Sequence, residues 1–383
     1  MDLALTKDQE MIQKSSREFF KKECPYEKTR QVKVTAPGYD KKMWKKMVNL
    51  GYLGIIFPEQ YGGSDGEFIE LTLLMEEVGR AIAPSPFFST MQCGLPILTY
   101  GSEEQKEVYL PGIAEKGDTW SLAHSEQSGG YRISDIQLKA VSDGDGFVLN
   151  GVKLFVPYAS TSSRLLVSAR TSTNNISVFM VDPKTEGIRI ETMPTIARDD
   201  RGEVSFVNVR VPKSNILGDI DNGDIIIDTI IQQSSVLKAA EMYGGARAAF
   251  NLTVNYTKER KQFNRKLASF QVVQHRLVNL LTDIDGLKYL VYKAAWSIAT
   301  QNPDRILNSA AKIKANSVHT DVCRQGMYLH GAIGWTEEMD IGLYHLQTRA
   351  MNFDGGGSDL HREQIACELE KQTPLFKQVL TCS

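Results

Sequence analysis

The sequence predicts an α+β protein in which a stretch of antiparallel strands separates two helical stretches. Three observations carry that expectation. Apolar residues recur at helical spacing up to about residue 117, short β-rich runs parted by turn dipeptides follow to about 221, and helical spacing then returns. The expected domains are 1–117, 118–221 and 222–383, in keeping with the two to three that 383 residues suggest.

The first helical stretch opens on Thr6 and Gln9, a T-x-x-Q capping pattern ahead of Met11, Ile12, Phe19 and Phe20. Trp44, Met47, Leu50 and Leu53 continue at helical spacing. Gly51 to Gly54 and Pro58 to Gly63 then break the pattern. A further helix is expected through Leu71, Leu74, Met75 and Val78.

The β-rich runs are 147–149, 152–156, 164–169, 176–181, 188–192 and 204–211. Asp143-Gly144, Asn150-Gly151, Asn174-Asn175 and Pro183 to Gly187 part them, which is the pattern of antiparallel hairpins. No ten-residue helical pattern lies between these strands, so a parallel Rossmann sheet is excluded. In the last stretch Leu277, Leu280, Leu281, Ile284, Leu287, Val291, Ala294, Ala295 and Ile298 form an apolar stripe. It predicts a helix packed in a bundle, against its own chain or against another.

Composition narrows the function. Hydrophobic residues at 42% and charged residues at 23% are ordinary for a soluble globular protein. The net charge is −2 and no strong basic patch appears, so nucleic acid is not an expected partner. No run of ~18 apolar residues predicts a membrane span, and residues 1–14 lack the apolar core of a signal peptide. Cys24, Cys93, Cys323, Cys367 and Cys382 are odd in number and widely spaced, which predicts free thiols in the reducing cytoplasm. The six histidines show no metal-ligand spacing, so no metal site is expected. Neither a G-x-G-x-x-G turn nor a phosphate loop is present, so any dinucleotide is held in another way.

The most informative segment runs from Tyr256 to Phe263 and on through Phe270, Gln271 and His275. Arg260 and Gln262 are expected at the end of a long helix, just before a loop. A guanidinium there can grip a phosphate through a bidentate fork, and Phe263 offers a flat apolar face. A solvated helix end with one aromatic anchor accounts for the same residues.

Arg-Lys-Gln-Phe at 260–263, followed by Ser269-Phe270-Gln271 and His275, resembles the R-x-Q-F-G…F-Q…H segment of the acyl-CoA dehydrogenase family. The likeness covers almost the whole chain. Gly54-Ile55 with Pro58-Glu59 and Tyr61-Gly62-Gly63 is similar to that family's first-domain loop. Gly146-Phe147, Leu149-Asn150-Gly151 and Lys153 resemble its β-domain hairpin. Ala240-Glu241-Met242 with Gly244 resembles the helix before the flavin arm, and Leu329 to Thr336 with Glu338 resembles the second FAD loop.

The resemblance implies a helical N-terminal domain, a middle antiparallel β-domain and a C-terminal four-helix bundle. It implies FAD as cofactor, an acyl-CoA substrate, an electron-transfer flavoprotein as acceptor, and a homo- or hetero-tetramer. In the family a carboxylate removes the proton next to the thioester carbonyl while the flavin takes the adjacent hydride. Carried over position by position, Ser125, Phe155, Arg260, Gln262, Phe263, Gln271 and Gly331 are candidate FAD contacts, Arg260 reaching the pyrophosphate of a neighbouring subunit. Asp354 is the candidate base.

The chain departs from the family pattern at the active site. The usual T-E-P-x-x-G-S-D reads Ser125-Glu126-Gln127-Ser128-Gly129-Gly130-Tyr131, so the proline is lost and Tyr131 replaces a small serine. The usual W-I-T reads Phe155-Val156-Pro157, and Pro157 has no N–H or hydroxyl to give a ring. Tyr328 replaces a glutamine and Ala332 a glycine. Asp354, in Phe353-Asp354-Gly355-Gly356-Gly357, stands near the usual Y-E-G-T glutamate, with about 1.5 Å less reach. Ser234 occupies the alternative base position and cannot serve.

Four readings are compatible with these departures. The chain is a subunit that lends its arm to a partner's FAD, or a self-sufficient dehydrogenase using Asp354. Otherwise it is an enzyme of different reaction, as in the similar nitroalkane oxidases that use Asp, or an assembly protein without flavin.

Overall fold

The computed structural model describes residues 4–129 and 131–372. Gly130 and Cys382, both named above, lie outside the described residues. Elements follow in chain order: α1 (Lys7–Glu23), α2 (Tyr26–Lys33), α3 (Lys41–Asn49), α4 (Phe68–Ala81), α5 (Phe87–Tyr100) and α6 (Glu103–Ala114). The strands are β1 (Trp120–Ala123), β2 (Lys139–Asp143), β3 (Gly146–Pro157), β4 (Arg164–Arg170), β5 (Ile176–Val181), β6 (Ile188–Met193), β7 (Arg201–Pro212) and β8 (Ile216–Leu217). Helix α7 (Gly223–Glu259) leads to the short strands β9 (Lys261–Gln262) and β10 (Arg265–Lys266). The helices α8 (Gln271–Ala299), α9 (Arg305–His330), α10 (Ile341–Met351) and α11 (Ser358–Gln372) follow. No helix among the described residues is long and apolar enough to cross a membrane.

The chain packs as two compact units. Of the described residues, one comprises Lys22–Leu71 and those within Ala83–Ser234; the other comprises residues 4–21, Thr72–Ile82 and 235–372.

The first unit is built on the sheet, in the order β6-β7-β3-β2-β4-β5-β8 with β1 beside β4. The long pairings are antiparallel, as alternation predicts; β4 is joined in parallel by β1 over four residues and by β2 at Lys139. Period-2 side chains place Leu149, Leu165, Val167, Phe179, Val204 and Phe206 in a dry interior. Asp143-Gly144 turns β2 into β3, and Pro183 to Gly187 joins β5 to β6.

Asn150-Gly151 does not make the expected turn. Both residues lie within β3, where the register against β7 shifts between Leu149 and Gly151. Gly151 takes φ +148, and a Cβ there would come 2.9 Å from the Leu138 backbone. Asn150 Oδ1 instead accepts the Asn208 N–H at 2.8 Å. The twelve-residue β7 pairs on both sides of the shift, so a bulge costs less than breaking the strand.

The second unit is helical. The T-x-x-Q pattern closes as a capping box: Thr6 Oγ1 accepts the Gln9 N–H, and Gln9 Oε1 accepts the Thr6 N–H. In the α8 stripe Leu280, Ile284, Leu287, Val291, Ala294 and Ala295 are buried within their own chain, the intrachain alternative for that stripe. Helices α4 and α7 approach at glycine. A Cβ on Gly79 would stand 1.8 Å from the Glu241 carbonyl, and one on Gly244 equally close to that of Glu76. At this seam the Glu76 carboxylate accepts from Gln13, Arg80 and Tyr292. Arg17 and Arg80 bind Glu77.

Candidate functional site

The candidate residues fall into three groups, each described within its own unit. The first is the arm between α7 and α8. α7 ends at Glu259, and Arg260 lies just beyond it. The Arg260 carbonyl accepts the Leu267 N–H at 2.9 Å, which folds the chain back as the hairpin β9–β10. Its turn is Phe263-Asn264, with φ +52 and +62, the left-handed pair of a type I′ turn. Phe263 is thereby thrust outward at 88% exposure. The arm is braced from behind, where the Arg265 guanidinium lies 3.9 Å over the Phe270 ring. Lys258, Arg260, Lys261, Arg265 and Lys266 are all exposed on this short stretch.

Gln262 pairs with Arg265 in the hairpin, and Gln271 is exposed at the first turn of α8. Gly331 caps α9 with φ +71 and open space where a Cβ would stand. The ring of Tyr256, near the end of α7, stacks on His330 at 4.2 Å, and its hydroxyl donates to the His330 carbonyl. The end of α7 is thus tied to the residue before Gly331. Arg260, Gln262 and Phe263 share one projecting element, but it is a hairpin: Gln262 lies in β9 and not at the helix end expected for it, because α7 stops at Glu259.

Asp354 lies elsewhere in the same unit, within a buried polar cluster. It is 9% exposed, and its Oδ2 is 3.3 Å from Lys238 Nζ. Lys238 also meets Glu241 Oε2 at 2.6 Å. Lys312 lies fully buried on α9, and burial pulls its ammonium down to about 7, against the opposing attraction of Asp354. His319 is buried with neither ring nitrogen hydrogen-bonded among the described residues, and burial pulls it down to about 3. Sequence reasoning missed Lys238, Glu241 and Lys312 as members of one cluster. The available signal was Lys312 standing in line with Ala311, Ala315, Val318 and Val322, a charge on the buried face of a helix.

The third group lies on the sheet. The Ser125 carbonyl accepts the Leu154 N–H at 2.8 Å, fixing the segment before Phe155. Phe155 sits where the β3–β7 register shifts again, with φ +56, its ring 54% exposed. Tyr131 stacks on the His124 ring at 5.2 Å. Beneath them Lys153 Nζ is buried against Glu126 Oε1 at 2.6 Å, and burial pulls that ammonium down to about 8.

The chain is a protein of the acyl-CoA dehydrogenase class, as its three domains show. The chain matches that family's N-terminal domain over residues 6–117, its middle domain over 121–209 and its C-terminal domain over 222–369, and it belongs to the family. It is similar to a probable acyl-CoA dehydrogenase of Bacillus subtilis (strain 168). The two are 33% identical, over 97% of this chain and 100% of the relative. Among solved structures it is similar to butyryl-CoA dehydrogenase of Megasphaera elsdenii, with a TM-score of 0.90 and 26% identity over 96% of this chain and 100% of that one. A chain from the structure of the electron transferring flavoprotein of Acidaminococcus fermentans aligns with a TM-score of 0.91. It is 29% identical, over 96% and 99% of the two chains.

Members of the family are FAD flavoproteins, so the chain is an oxidoreductase with FAD as its cofactor. The residues present fit that group: five exposed cations suit its diphosphate, and Phe263 and Phe155 offer exposed faces to a ring system.

Proposed function

We propose that the chain is one subunit of an FAD-dependent enzyme that desaturates an acyl-CoA thioester between its α and β carbons, and that its part is to lend the Arg260–Lys266 arm to the flavin of a neighbouring subunit. The observation that carries this reading is Phe263: a ring held 88% exposed, by a backbone conformation non-glycine residues rarely adopt, is built to be covered by something else.

When bound, the flavin supplies the hydride acceptor of the oxidation. The chain's own residues do the rest by position. Arg260 grips phosphate oxygens and Gln262 adds neutral donors. Phe263 shields a ring face from water, Gln271 lies at the start of the next helix, and Gly331 leaves room for a nucleotide to approach its backbone. Ser125 and Phe155 contribute a hydroxyl and an apolar face on the sheet.

Asp354 is placed as an ion-pair partner of Lys238, and it is not offered as an open acceptor. That arrangement favours the lending role over a self-sufficient enzyme with Asp354 as base. An electron-transfer flavoprotein is the proposed acceptor and a hetero-tetramer the proposed assembly. The four described cysteines, all unpaired, suit a cytoplasmic setting.

The test is flavin retention. Arg260→Met and Phe263→Ala should each lower bound FAD in the native complex by about tenfold or more, since a charge-assisted contact contributes roughly 1.5–3 kcal/mol and covering a phenylalanine ring about as much. Both sites are exposed, so thermal unfolding of the chain itself should hardly move. Full flavin occupancy in both variants refutes the proposal.

A further inference from the structure

The loop that carries Asp354 is gripped along its length by α9. Lys312 Nζ donates to the carbonyls of Met351 at 3.0 Å and Asn352 at 3.3 Å, and to Asn316 Oδ1 at 2.6 Å. Asn316 Nδ2 in turn donates to the Asn352 carbonyl at 3.3 Å and to Ser358 Oγ at 3.0 Å. Beyond Asp354 the His361 imidazole meets the Gly355 carbonyl at 2.9 Å. Gly356 takes φ +99, where a Cβ would stand 2.8 Å from His361 Nε2. The backbone is pinned on both sides of Asp354, so its short side chain can engage only what lies within its fixed reach. There lies Lys238, reaching from α7.

A general base has to present an open lone pair to the carbon it deprotonates. Asp354 Oδ2 is engaged by Lys238 inside a cluster of two carboxylates, Asp354 and Glu241, and two lysines, Lys238 and Lys312. Lys312 is the second cation that Asp354 attracts. The hydrogen bonds of Lys312 go to Met351, Asn352 and Asn316. Burial holds His319 and His361 neutral, at about 3 and about 4. Glu241 carries the wrong sign.

We propose that Lys238 is a positioning residue that holds Asp354 as a buried ion-pair anchor and so withdraws it from proton abstraction. The inference rests on the reading of the chain as a lending subunit. It adds the residue that makes the carboxylate at the family's base position unavailable.

Removing the ammonium leaves two buried carboxylates beside one lysine that burial already pulls down to about 7, and a buried carboxylate short of counter-charge takes up a proton rather than stay charged. Infrared spectra of the full native complex, recorded from about pH 8 to about pH 5, read that protonation directly as the carbonyl band of a neutral carboxylic acid. Lys238→Met should gain one such band per chain, absent from the wild type. Lys238→Arg should restore the wild-type spectrum. Adding Asp354→Asn to Lys238→Met should remove the band, and adding Glu241→Gln should leave it.

If Lys238→Met does not fold, Lys238→Gln is read in the same way. A missing band, or one that survives Asp354→Asn, overturns the inference. So does a loss of about 10²-fold or more in flavin reduction by acyl-CoA when Asp354→Asn is made alone. A missing band says nothing against the arm, while FAD retained after its loss refutes the lending role and leaves Lys238 untouched.

Discussion

At Gly244 the carbonyl of Glu76 lies where a Cβ would be, 1.8 Å away, and no side-chain movement can relieve a clash with backbone. Gly244→Ala should therefore force α4 and α7 apart within their unit and cost about 3 kcal/mol or more, at the upper end for overpacking. A urea midpoint within experimental error of the wild type would contradict this. Lys312 gives a residue-scale prediction with a sign. Its folded value of about 7 lies below the ordinary 10.5, so between those values the unfolded chain holds a proton that the folded chain has released. Stability should rise with pH across that window, by at most about 1.4 kcal/mol per pH unit for one proton. Lys153, pulled down to about 8, adds to the same slope in its upper part. Lys312→Met should remove the share of the slope near pH 7 to 8, which urea midpoints at a series of pH values measure. An unchanged slope would show that Lys312 is not titrating there.

At the scale of elements the arm is the most exacting piece. Its turn places two non-glycine residues at positive φ, and Asn264 suits that conformation while a β-branched residue does not. Asn264→Gly should keep FAD in the complex. Asn264→Val should strain the turn by about 1–3 kcal/mol and release the cofactor, as flavin absorbance after desalting would reveal. The arm also shows what the sequence could and could not announce. Arg260 at a helix end was readable from the long apolar run before it, since α7 stops at Glu259. The hairpin was not: two-residue strands leave no period, and Phe263-Asn264 is not a common turn dipeptide. The reverse error occurred in the sheet, where Asn150-Gly151 has the composition of a turn and is a bulge within β3. Turn chemistry is local, and the pairing partner that overrode it, β7, is more than fifty residues away. The strands β1 and β2 escaped notice for the same reason. Trp120–Ala123 is buried at every position and shows no alternation, while Lys139–Asp143 buries only Ala140. The polar cluster around Asp354 was legible one residue at a time, as single charges on apolar helix faces. Which carboxylate each ammonium meets depends on how α7 and α9 frame the loop at 354.

At the scale of the whole molecule the question is whether one kind of chain suffices. The features this chain offers outward are intact: a braced basic hairpin and an open glycine turn. Those it would need for chemistry of its own are altered. Pro157 can give no N–H to a ring, and Tyr131 stands stacked on His124 where the family pattern has a small residue. Asp354 is engaged by Lys238. On the proposed reading the chain keeps its contribution to a neighbour and lacks its own acid–base equipment, and it is expected to work only in a mixed assembly. Purified alone, the chain should not bleach its flavin when acyl-CoA is added without oxygen. Mixed with a paralogous chain that keeps the usual glutamate, it should form a complex that bleaches. Replacing that glutamate by glutamine should cut the rate by about 10²–10⁴-fold, the usual contribution of general base catalysis. Asp354→Asn in the same complex should leave the rate within about twofold, because the buried anchor affects folding before it affects proton transfer. A flavin count on the mixed complex separates the remaining possibilities. Bleaching by the isolated chain, abolished by Asp354→Asn, would show that the carboxylate escapes its lysine during turnover and that the subunit is an enzyme in its own right.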